Sequence, residues 1–110
     1  MSMKNGPLGT IDPSLRGKVA VGISWFHEAD YAAALAIMTD NVLPPTYALW
    51  LAKPGKSERD AQEMGYRTLR AVIDPHTFPG WCARHGFGTT IDAKARMAFA
   101  NDYAAGQVGL

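Results

Sequence analysis

The chain has 110 residues, 47% of them hydrophobic and 19% charged, which suits one folded domain and excludes a wholly disordered chain. Lys and Arg number 11 against 10 Asp and Glu, a net charge of +1, so no basic excess points to nucleic acid or an anionic membrane. The single cysteine excludes an intramolecular disulfide. A membrane span needs roughly 20 consecutive apolar residues, and the apolar runs at 19–26 and 31–38 fall far short. Residues 1–16 are polar and broken by Gly6, Pro7, Gly9 and Pro13, unlike a secretory signal. With the free thiol, this makes the cytoplasm the expected location.

Residues 1–16 read as an irregular lead-in, 17–105 as a single α/β domain, and 106–110 as a frayed tail. Val19, Val21 and Ile23 are β-branched within an almost continuous apolar run. That pattern predicts a strand over 19–25, covered on both faces as in a parallel sheet. Glu28 and Asp30 then open a helix at its positive end, with Tyr31, Leu35 and Met38 on one face and Asn41 as its expected stop. Thr46 caps the next helix, whose stripe is Tyr47, Trp50 and Leu51. Pro54 cannot donate to the Trp50 carbonyl, and its ring collides there, so two helices are expected, 46–53 and 57–64, with one kinked helix as the rival. Ser57 would cap the second.

Gly65 ends that segment, and residues 67–73 form the second strand. Asp74 and Pro75 start a further helix, Asp74 as cap, with Phe78, Trp81, Cys82 and His85 on one face. Gly86 and Gly88 terminate it. Thr90 or Asp92 caps the last helix, in which Ala93, Met97, Ala100 and Ala104 form the packing stripe. The expected fold is therefore a small, helix-rich α/β domain of order β-α-α-α-β-α-α with two parallel strands. Two strands make a poor independent sheet. Either a third strand lies within 87–91, or a second copy of the chain completes the sheet, the preferred reading.

Several segments resemble small bacterial proteins to which no activity is assigned. They are residues 25–31, Leu43 to Tyr47 with Trp50 and Leu51, Ile73 to Pro75, Phe78 with 81–86, and Asp92 to Arg96. The resemblance spans about residues 19–100 and implies no site residues. Those proteins run an unbroken charged helix where this chain has Pro54 and Gly55.

No phosphate-binding glycine loop, HExxH or GxSxG motif is present. Four readings remain. The carboxyl ends of parallel strands are where α/β folds bind ligands, and they carry Trp25, His27, Glu28, Asp74 and His76. Two imidazoles and two carboxylates could hold a divalent metal or act as an acid/base pair. The plainer reading makes Asp74 a cap, Glu28 a helix-dipole residue and both histidines surface groups. Cys82 and His85 have a spacing that could pair a thiolate with imidazolium, against a packing cysteine as the plainer reading. Trp25, Trp50 and Trp81 are interface candidates or ordinary core. Arg67, Arg70, Arg84, Lys94 and Arg96 are basic but diluted by acidic residues, so a solvated surface is expected rather than a nucleic-acid face.

Together these predict a binding or accessory protein acting through protein contacts. It is expected to be a homodimer with a further unknown protein partner, and to hold no cofactor and no metal. The alternative is a small metal-dependent or acid/base enzyme centred on His27, Asp74 and His76.

Overall fold

A computed structural model describes residues 11–107. The expected lead-in and tail therefore lie partly outside the described residues. Within them, 11–16 hold one 3-10 turn, Pro13–Leu15, and no strand or α-helix. The elements that follow are β1 (Ala20–Trp25), a 3-10 turn (Glu28–Asp30), α1 (Tyr31–Ile37), α2 (Tyr47–Glu63), β2 (Arg67–Val72), α3 (Phe78–Arg84) and α4 (Ala93–Gln107). The fold is mixed α/β and helix-rich, with a parallel two-stranded sheet whose register runs from Ala20 opposite Arg67 to Trp25 opposite Val72.

The sheet is sandwiched. On one face Trp25 meets the α2 residue Trp50 edge-on, ring centres 5.2 Å apart. On the other face α4 lies directly against Gly22, where a Cβ would stand 2.1 Å from the Ala100 carbonyl oxygen. An isolated glycine in a strand marks this kind of close backbone approach. The core joins Trp25, Phe26, Tyr31, Trp50, Ile73, Phe78, Cys82 and Ile91, with Ala34 and Ala95 admitting their neighbours closely. Phe26 and Tyr31 pack edge-on at 5.6 Å, and the Tyr31 hydroxyl donates to the Pro44 carbonyl at 2.6 Å.

The segment 46–63 is one helix, so the two-helix expectation is corrected in favour of its rival. The Thr46 hydroxyl caps it by accepting from the Leu49 N–H at 3.2 Å. Trp50 and Ala61 are both buried and lie on one helical face that also carries Pro54. A break at Pro54 would lift one of these anchors from the core, so packing outweighs the proline penalty. Past Met64 the chain turns at Gly65 (φ 101°), and the Tyr66 N–H donates to the Ala61 carbonyl at 3.0 Å, a glycine-terminated helix end.

Other expectations shift as well. α1 ends at Ile37, not Asn41, because Met38 is extended and the Thr39 N–H donates to the Ile91 carbonyl at 2.8 Å. Residues 87–91 form a loop rather than a third strand. β1 has a helix on each face, as expected, yet stays half-exposed from Ala20 to Ser24, because no strand flanks its outer edge among the described residues. In α4 the buried line is Arg96, Ala100 and Ala104, together with Ala95, while Met97 is 66% exposed. Asp92 caps this helix, accepting from the Ala95 N–H at 3.1 Å. Gly106 and Gln107 are its last residues, and the rest of the expected tail lies outside the described residues.

Candidate functional site

At the carboxyl ends of the strands, the structure separates packing from polarity. Trp25 is 4% exposed, its ring wedged against Trp50 beneath the Arg70 guanidinium, which sits 4.0 Å above it. His27, Glu28, Asp74 and His76 are exposed. Of these, only Asp74 and His76 meet. One Asp74 carboxylate oxygen accepts from the His76 N–H at 2.8 Å and lies 3.3 Å from its Nδ1. The backbone bond holds the Asp74 carboxyl below its ordinary value, with the ring adding a smaller effect. The Asp74 carbonyl accepts from Thr77 and Phe78 N–H groups, so Asp74 closes the turn before α3 rather than capping the helix itself. Among the described residues no three His, Cys, Asp or Glu side chains are placed to hold a metal ion. Of the side chains expected to converge at this rim, the structure brings together the Asp74 and His76 pair alone.

Cys82 is fully buried, and burial pushes its thiol pKa up, with Asp92 adding to the effect. A thiolate is therefore disfavoured. His85 stacks on Trp81 with ring centres 4.0 Å apart, and its Nδ1 is 2.8 Å from the Trp81 carbonyl oxygen. Both side chains are thus engaged in packing. Trp25 and Trp50, at 4% and 6% exposure, have little surface left for an interface, whereas Trp81 is half-buried.

The basic residues divide. Arg67, Arg84 and Lys94 are exposed, as expected of a solvated surface. Arg70 donates twice to Glu58, at 2.8 and 3.0 Å, and these bonds hold the Glu58 carboxyl below its ordinary value. Arg96 is the clear correction. It is 6% exposed and donates to both Asp40 oxygens at 3.0 Å and to the Met38 sulfur at 3.1 Å. This fork ties the α1–α2 link to α4 and lowers the Asp40 carboxyl pKa.

The surface best suited to recognition is the outer edge of β1. The Val19 and Trp25 carbonyls accept from β2-side amides at 2.9 and 2.8 Å. By strand alternation, the N–H and C=O groups of Ala20, Gly22 and Ser24 point away from β2. No described residue pairs with them. Two shallow grooves flank this edge. One, of about 430 Å³, lies between residues 18–22 and Asn101, Ala104 and Ala105 of α4. The other, of about 530 Å³, lies between residues 21–24 and Met97, Ala100 and Asn101. The sequence shows that the edges need cover, but its pattern puts Met97 in the packing stripe, where the structure exposes it beside this edge, and gives Asn101 no role. Which side of α4 meets Gly22 is a packing fact, and only the lone strand glycine signals that contact. No family model, curated protein or solved structure matches the chain.

Proposed function

We propose that this protein is a cytoplasmic binding module that takes an extended segment of a partner protein along the free edge of β1. The carrying observation is the set of outward N–H and C=O groups at Ala20, Gly22 and Ser24, beside an exposed Met97. This strand carries no charge, proline or bulge, the devices by which edges are usually blunted. Main-chain bonds would supply affinity and the flanking grooves would select side chains.

A lone strand suits this edge better than a second copy of the sheet. Paired β1 strands lie about 5 Å apart. Because α4 sits directly over Gly22, its twin would stand at about the same spacing, whereas packed helices need about 8–10 Å. A homodimer would therefore use another face, and Trp81 is the tryptophan with surface to contribute.

Amide exchange followed by NMR tests the reading. In the free chain Ala20, Gly22 and Ser24 should exchange faster than Val21, Ile23 and Trp25. Peptides selected for binding should then slow those three amides, and Ser24→Pro should abolish capture. That substitution removes one outward donor and leaves the bonds toward β2 intact. Equal protection of all six amides in the free chain, or selected peptides that leave the three unchanged, would overturn the proposal.

A further inference from the structure

The helix proline marks a second candidate site, which borders the 530 Å³ groove of the β1 edge at Ala93 and Arg96. A cavity of about 490 Å³ is walled by Val42, Leu43, Pro44, Trp50 and Pro54, with Lys53 beside them. Its size falls within the range of small-molecule sites, and its walls are mostly apolar. Trp50, Lys53 and Pro54 are spaced to share one face of α2. The Arg96 guanidinium also borders the cavity, but Asp40 and Met38 already engage it. Lys53 differs, because no described carboxylate pairs with it. The cavity therefore combines apolar walls and one uncompensated cation.

Pro54 adds an independent observation. In an uninterrupted helix the residue 54 N–H would reach the Trp50 carbonyl, and proline has none. The carbonyl that loses its helical donor belongs to a residue of the cavity wall. A proline inside a helix costs stability, and a local rule broken without evident structural gain is expected at functional sites.

We propose that this cavity binds a small apolar monocarboxylic acid, its carboxylate on Lys53 and its hydrocarbon or aryl group against the half-buried Leu43, Pro44 and Pro54. Charge complementarity selects the acid, since a cation at an apolar mouth favours a ligand with one anionic end.

3-Phenylpropanoate is the probe, titrated into the full chain and followed by the amide resonances of Leu43, Trp50 and Lys53, none of which lines the β1-edge grooves. Saturable shifts confined to this region are expected. 3-Phenylpropanamide, which has nearly the same shape and no charge, should bind more weakly. Lys53→Gln should weaken the acid about fivefold, as an exposed ion pair predicts, and leave the amide unaffected. Lys53 is exposed, so the variant should fold, and an unchanged spectrum elsewhere checks this. Absence of saturable shifts, or equal affinity for acid and amide, would overturn the site. So would an acid affinity unchanged by Lys53→Gln.

Discussion

Gly22 shows most directly how one residue sets the architecture. A side chain there would meet the Ala100 carbonyl oxygen at 2.1 Å and its carbon at 2.8 Å, atoms of a helix backbone that cannot turn aside. Gly22→Ala should therefore cost about 3 kcal/mol, the upper range for overpacking, because α4 must move bodily off the sheet. Urea denaturation reads the loss, and a cost below about 0.5 kcal/mol would mean that α4 yields freely. Its backbone also belongs to the outward row of the β1 edge, so displacing α4 would alter the proposed binding surface as well. Arg96 teaches the complementary lesson. In sequence it is one basic residue among several on a charged helix, and nothing local marks it as buried. Its partner Asp40 lies 56 positions away, and only the tertiary fold brings the two together.

At the scale of elements, legibility followed locality. β1 was readable from its β-branched apolar run and β2 from the alternation that follows Gly65, and a helical crossover implies parallel strands. Thr46 and Asp92 were readable as caps because capping is decided within three residues. The segment at Pro54 was not, since local propensity favours a break while Trp50 and Ala61 anchor one continuous face in the core. Pro54→Ala should accordingly raise stability by roughly 1–3 kcal/mol, restoring a donor to the Trp50 carbonyl and relieving the ring clash. Thermal melts at neutral pH measure it, and a destabilised variant would show that the proline's packing outweighs its backbone cost. The candidate rim at His27, Glu28, Asp74 and His76 was legible only as an address. The strands do end there, but Asp74 and His76 are engaged in a local turn and no third donor joins them.

The whole molecule is clasped on both sides of its sheet by a carboxylate and an arginine, and this shapes its response to acid. Asp40 and Arg96 join the α1–α2 link to α4, and Glu58 and Arg70 join α2 to β2. Both carboxyl pKa values are lowered by hydrogen bonds from their arginines. In the unfolded chain these groups titrate near about 3.9 for Asp and about 4.3 for Glu. Below those values the unfolded state takes up protons that the folded state still refuses, so acid favours unfolding. The stabilisation is complete above roughly pH 5 and is lost as pH falls through the lower folded values. Asp40 should dominate, because Arg96 is buried, whereas Arg70 is more than half exposed and its bond is screened. Asp40→Ala leaves a buried guanidinium without its counter-charge and should cost about 3 kcal/mol at pH 7. The gap between wild type and Asp40→Ala should narrow steadily below about pH 4, where Asp40 of the unfolded chain takes up a proton before the folded carboxylate does. Urea midpoints at pH 7, 5, 4 and 3 test this, and a gap that stays constant across the series would show that Asp40 stabilises the fold by packing rather than by charge.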